Sequence, residues 1–193
     1  DVCNAVDEIG QLLDHTGPVA QSELNAARIF NADHSYFVTN GTSTSNKIIW
    51  HASVTPGDIV LVDRNCHKSV IYAITMTGAI PVFLMQTRNN VGIIGPIPLE
   101  EFDPENIRKK IGQNPIAQKR KMEIGNDDVL IPKILTITQS TYDGILYNVE
   151  MIKDHLTGHI DTLHFDEAWL PHAAFHDFYK NMHAIGEDRP RAK

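Results

Sequence analysis

The stretch that most constrains this chain is Thr162-Leu163-His164-Phe165-Asp166-Glu167-Ala168-Trp169. A mainly apolar run stops at a pair of carboxylates, with an indole just beyond. Thr162 to Phe165 reads as a short buried strand of a parallel sheet. That leaves Asp166 at the carboxyl end of the strand, where open α/β sheets bind ligands. An ionised carboxylate leaving a buried strand needs a cation or a set of donors. The candidates are a helix N-terminus, a structural Arg, a protonated ring nitrogen of a bound cofactor, or a magnesium ion.

The strand signal recurs upstream. Ile59 to Val62 is a continuous apolar run ending at Asp63. Ala79 to Met85, Ile134 to Thr138 and the shorter Tyr36 to Thr39 read the same way. Helical patterns lie between them. Val2, Val6, Ile9, Leu12 and Leu13 recur at helical spacing, and Gly17-Pro18 is expected to end that helix. Ser22 is the expected N-cap of a second helix through Phe30, with Leu24, Ala27 and Phe30 facing inward. Further helices are expected over Ile48 to Val54, from Val70 to the stop at Gly78, after Asp103-Pro104-Glu105, and over Val149 to Leu156. The polar run Gln113 to Asp128 reads as a surface excursion. This alternation predicts an α/β fold, a mostly parallel sheet with helices on both faces and right-handed crossovers.

A length of 193 residues suits one sizeable domain. The formal net charge of −7 argues against a nucleic-acid partner. No apolar run reaches the length of a membrane span. Cys3 and Cys66 form neither a disulfide framework nor a metal-ligand spacing, so a cytoplasmic protein without a metal site is expected. The chain starts at Asp1 and ends on Arg189-Pro190-Arg191-Ala192-Lys193, which reads as a piece of a longer protein.

Three turns at strand ends carry candidate chemistry. Gly41-Thr42-Ser43 opens a helix, and free N–H groups, the helix dipole and two hydroxyls all suit an anion; plain N-capping is the alternative. The same stretch nearly matches the P-loop pattern, with Gly41 and Lys47 correctly spaced. Asn46 replaces its second Gly and Ile48 its Ser/Thr, which disfavours an ATPase despite the Walker-B-like Asp166-Glu167 pair. His67 could stack on an aromatic ring, or cap the next helix. Lys68 is a conceivable amine nucleophile, although a solvated lysine is the simpler reading. Ser140-Thr141 either faces the same cleft or shapes its own turn.

Taken in order, Asn40-Gly41-Thr42-Ser43-Thr44-Ser45-Asn46-Lys47, Asp63-Arg64-Asn65-Cys66-His67-Lys68-Ser69, Ser140-Thr141-Tyr142-Asp143-Gly144-Ile145-Leu146-Tyr147-Asn148 and Phe165-Asp166-Glu167-Ala168-Trp169 resemble the cofactor-binding domain of the bacterial pyridoxal-phosphate ornithine/lysine/arginine decarboxylases. The resemblance covers essentially the whole chain. It implies that residues 1–193 are part of the major domain of a pyridoxal-phosphate-dependent transferase-like fold, without the family's wing and C-terminal domains. It implies a decarboxylase of arginine, lysine or ornithine that works as a homo-oligomer, a dimer or larger. It also implies that Gly41, Thr42 and Ser43 hold the cofactor phosphate, that His67 stacks on the pyridine ring, and that Asp166 pairs with the ring nitrogen. Thr141 and Trp169 are expected near the cofactor. Asp166 and His67 are the expected catalytic groups. The family's cofactor-linking lysine lies in an S-x-H-K motif C-terminal to the aspartate; Lys68 and Lys193 do not match it, so the chain alone is expected not to decarboxylate. A non-catalytic homologue serving assembly or regulation is the rival expectation.

Overall fold

The structure, a computed structural model, describes residues 6–125 and 130–184. Among these residues four five-residue strands form one sheet: β1 (Ile59–Asp63), β2 (Ile80–Leu84), β3 (Ile134–Thr138) and β4 (Thr162–Asp166). Their order is β2-β1-β3-β4, and every pairing is parallel. All five residues of β1 are buried, as a strand covered on both faces requires. Pro81 sits on β2, at the edge of this sheet, where a missing backbone donor is tolerated.

Among the described residues six α-helices surround the sheet: α1 (Gly17–Ile29), α2 (Thr42–Ser53), α3 (Lys68–Thr77), α4 (Pro104–Gln113), α5 (Pro115–Ile124) and α6 (Val149–Leu156). The period of two in β1 divides the core. Ile59 and Leu61 pack with Ile107 and Ile111 of α4, Ala117 of α5, and Ile152 and Leu156 of α6. Val60 and Val62 pack with Trp50 of α2 and with Val70 and Ala73 of α3. Helices therefore cover both faces. The crossover from β1 to β2 runs one way along the sheet, whereas those reaching β3 and β4 run the other. Crossovers of one hand then place α3 opposite α4 to α6.

The N-terminal third departs from the sequence reading. Val2 lies outside the described residues, and residues 7–9 make only a short 3₁₀ turn. Leu13 is 87% exposed, so the apolar spacing there does not mark a buried helix face. Gly17-Pro18 starts α1 instead of ending a helix, because Pro is free to occupy the first turn. Ser22 is consequently mid-helix, and Leu24 points out while Glu23 and Ala27 are buried. Glu23 is tolerated inside because it accepts from the Phe37 N–H at 2.8 Å and meets His15 Nδ1 at 2.7 Å. That bond also explains the absence of a strand over Tyr36 to Thr39: the Phe37 donor serves a carboxylate, not a ladder. The expected surface excursion after Gln113 contains α5, with Asn114 accepting from the Ile116 and Ala117 N–H groups and Gly125 ending it in the left-handed region at φ 69°. Asn126 to Asp128 lie outside the described residues.

Candidate functional site

The chain leaves β1 toward β2 on one side and later returns to β3 on the other. The carboxyl ends of β1 and β3 thus flank the point where strand order reverses, the ligand crevice of open α/β sheets. A cleft opens there. Its walls come from Thr42, Ser43 and Asn46 of α2, from His67 after β1, from Thr138 and Ser140 after β3, and from Asp166 and Trp169 after β4.

Gly41 is the N-cap of α2 and provides no side-chain cap. Its φ of 75° with ψ of 178° belongs to a region that is essentially glycine-only. The N–H groups of Thr44 and Ser45 close onto its carbonyl at 2.9 and 3.3 Å. Thr42 and Ser43 sit in the first turn, exposed and lining the cleft, with the positive end of the helix dipole behind them. Side-chain capping, the simpler reading of these hydroxyls, is not what the turn does.

Asp166 is 5% exposed. Asn46 Nδ2 donates to its Oδ2 at 2.9 Å, and the Ala168 N–H donates to its Oδ1 at 3.2 Å. Both donors are neutral, and no ion pair reaches Asp166 among the described residues. Glu167 does not join it, since one of its oxygens accepts from the Ala184 N–H at 2.6 Å. The resemblance to an acidic Walker B pair therefore ends at the sequence, and Asn46 at the broken P-loop position is buried against Asp166.

His67 does two things. As N-cap of α3 its Nδ1 accepts from the Ser69 N–H at 3.2 Å, so the capping reading holds, and its ring also lines the cleft. Ser69 Oγ lies 2.8 Å from the same Nδ1 and 2.9 Å from Asn46 Nδ2. Lys68, one residue on, is exposed and is not part of the cleft wall.

Thr141 is not among the residues that line the cleft. Its N–H donates to the Ile145 carbonyl at 3.1 Å and its Oγ1 accepts from the Ile145 N–H at 3.2 Å, which commits it to its own turn. Its neighbours Ser140 and Tyr142 line the cleft instead. Trp169 is 57% exposed and meets Tyr142 edge-to-face, ring centroids 4.9 Å apart.

Close to the strand ends, Asp63 and His164 are buried and Cys66 is half-buried. Asp63 is fully buried and accepts from the Asn65 N–H at 2.7 Å, the Thr138 N–H at 3.3 Å and Gln86 Nε2. Burial outweighs those donors and raises its carboxyl above the ordinary range. Burial, reinforced by the Asp63 charge, pushes the Cys66 thiol up to about 12, so Cys66 is no nucleophile. His164 Nδ1 lies 3.1 Å from Thr136 Oγ1, which also accepts from Trp50 Nε1 at 3.1 Å. Burial holds the His164 imidazole down at about 4.

Sequence reasoning missed Asn46 and Tyr142 as parts of the cleft, and Ser69 as the buried hydroxyl between Asn46 and His67. The spacing of Thr42, Asn46 and Trp50, one helical turn apart, marks a single inward face of α2 and was the available signal for Asn46.

Compared with known proteins, residues 1–193 match the family model described as Orn/Lys/Arg decarboxylase, major domain. The chain is 52% identical over 189 residues to lysine decarboxylase LdcA of Pseudomonas aeruginosa, covering 98% of this chain and 24% of that protein. It is 44% identical over 177 residues to the biodegradative arginine decarboxylase of Escherichia coli, covering 92% and 22%. The solved structure of lysine decarboxylase A from Pseudomonas aeruginosa superposes with a TM-score of 0.83 at 49% identity, over 97% of this chain and 24% of that one. The chain thus spans about a quarter of the length of the curated relatives it matches.

Proposed function

The chain belongs to the Orn/Lys/Arg decarboxylase family, and we propose that it builds the pyridoxal-phosphate site of a whole protein that decarboxylates a basic amino acid. The observation that carries this reading is Asp166: a buried carboxylate, held by two neutral donors, that faces a cleft and makes no ion pair among the described residues. A protonated ring nitrogen needs only that one carboxylate, whereas a magnesium ion would want further oxygen ligands and Glu167 is bonded elsewhere. The opposite requirement, an anion site, is met by the uncapped start of α2 with the Thr42 and Ser43 hydroxyls. The residues present therefore fit a flat, cationic-ringed, phosphorylated cofactor.

Bound there, pyridoxal phosphate supplies an electron sink for the pair left behind as CO2 departs. Asp166 keeps a proton on the ring nitrogen, since a nearby opposite charge favours the charged form. Such a pairing is worth on the order of 4 kcal/mol at an effective dielectric of about 20, before desolvation. Gly41, Thr42 and Ser43 hold the phosphate, and His67 covers one ring face. Trp169 stands exposed at the mouth of the cleft.

Lysine is the first substrate to test, because the 52% identical relative is a lysine decarboxylase, with arginine and ornithine beside it. A homo-oligomer follows from the resemblance alone. No helix among the described residues is long and apolar enough to cross a membrane. We place the protein in the cytoplasm, on its sparse cysteine usage. The test is CO2 release by the full-length protein from the three amino acids. Release from one of them that requires pyridoxal phosphate supports the assignment; inertness toward all three in a cofactor-loaded, folded protein favours a non-catalytic homologue.

A further inference from the structure

We propose that Asn46 is a positioning residue that sets both Asp166 and His67 toward the cofactor ring. The inference rests on the reading of Asp166 as the ring-nitrogen partner. Asn46 is 1% exposed, and its single amide nitrogen lies 2.9 Å from Asp166 Oδ2 and 2.9 Å from Ser69 Oγ. An ionised carboxylate only accepts, so the NH2 end of the amide must face it and both N–H groups are used. Ser69 Oγ accepts one of them, which leaves its own proton for His67 Nδ1 at 2.8 Å. That ring nitrogen already accepts the Ser69 N–H, so it is bare and the imidazole proton resides on Nε2. One neutral side chain thereby fixes a carboxylate orientation on one strand end and, through the Ser69 hydroxyl, supports on another a histidine whose tautomer the Ser69 N–H sets.

Neutrality matters here. An Arg or Lys at this place would satisfy Asp166 but cancel the charge that the ring nitrogen needs. An amide orients the carboxylate and leaves its charge available. The alternative is a purely structural role, in which Asn46 only joins α2 to the sheet.

Cofactor binding by the full-length protein separates the two. Pyridoxal phosphate and its 1-deaza analogue, which carries C–H in place of the ring nitrogen, are titrated against the wild type, Asn46→Ala, Asn46→Asp and Asp166→Asn. Asn46→Ala is expected to weaken pyridoxal phosphate about tenfold or more, the effect of one hydrogen bond to a charged group, and to change the analogue by less than about threefold. Equal losses for both ligands make Asn46 structural and overturn the inference. Asn46→Asp, isosteric and the decisive variant if Asn46→Ala does not fold, places a like charge beside Asp166. Its affinity relative to wild type should recover as pH falls and one carboxyl takes up a proton. A ratio that does not change with pH overturns the inference as well. Asp166→Asn tells the two readings apart. If it too fails to discriminate the ligands, the ring-nitrogen assignment itself is lost; if it discriminates and the Asn46 variants do not, only the positioning role is lost.

Discussion

Asp166→Asn keeps the shape of the side chain and removes its charge. In the full-length protein the variant is expected to bind pyridoxal phosphate at least about tenfold more weakly and, at saturating cofactor, to lose at least about a hundredfold in kcat, the scale of one lost electrostatic stabiliser. Steady-state turnover with a parallel thermal melt checks this; wild-type kcat would take Asp166 out of the chemistry, and a collapsed melt would mark a folding role. Thr42 and Ser43 make a different contrast. Changing both to Ala should weaken pyridoxal phosphate far more than unphosphorylated pyridoxal, because hydrogen bonds to a charged group are worth about 1.5–3 kcal/mol each. Parallel titrations with the two aldehydes measure it, and equal losses would return these hydroxyls to helix structure. At this scale the sequence revealed residues whose chemistry is visible in their type: a carboxylate, an imidazole, paired hydroxyls. It concealed Asn46 and Ser69, whose role exists only through partners 120 and 23 positions away from Asn46.

Helix α2 is the element that ties these residues together. Its first turn lines the cleft with Thr42 and Ser43, Asn46 one turn on meets Asp166, and Trp50 another turn on is fully buried and bonded to Thr136. The start of that ruler depends on Gly41. A Cβ there meets nothing within 4 Å, so the obstacle to Gly41→Ala is the backbone conformation and not crowding. The variant is expected to cost about 1–3 kcal/mol of stability and to lose phosphate affinity with it. Gly41→Asn should be no better, because φ 75° with ψ 178° is not the left-handed helical region that Asn tolerates. Melting and phosphate-dependent cofactor binding of both variants test this, and full rescue by Asn would contradict it. The elements themselves were largely legible where apolar runs were continuous, as in β1 and β3, or where Asp103-Pro104 announced a helix. The N-terminal third was not, because Glu23, a charged residue, occupies the inward place that hydrophobicity assigned to Leu24. The helix after Asn114-Pro115 was missed for want of apolar periodicity, though its cap is of the same kind as Asp103-Pro104.

Acid sensitivity belongs to the whole molecule, because the groups that govern it are buried under the sheet ends and can titrate in opposite senses. His164 is neutral in the fold, with its imidazole held down at about 4 by burial and raised only in part by Asp166. Unfolded, it takes up its proton near 6.5. Above that pH both states are neutral and His164 imposes no charge cost. As pH falls from 6.5 toward about 4 the unfolded chain binds a proton that the folded chain refuses, and stability drops. The loss accumulates to about 3 kcal/mol at most, because one proton bound by the unfolded chain alone is worth about 1.4 kcal/mol for each pH step of one. Asp63 works the other way: its carboxyl is raised by burial, so the fold gains as pH falls through the window between its folded value and the ordinary 3.8. His164 governs the upper part of the acid range, since its unfolded-state titration begins well above that of a carboxyl. The discriminating variant is His164→Asn, whose side-chain oxygen can take the place of Nδ1 as acceptor for the Thr136 hydroxyl. It should melt somewhat lower than the wild type at pH 8, where only packing is lost. Between pH 6.5 and 4 its melting temperature should fall less steeply, by the contribution of one proton. Melting of the full-length protein across that range, with ionic strength fixed, measures the difference in slope; parallel curves would assign the acid loss to groups other than His164.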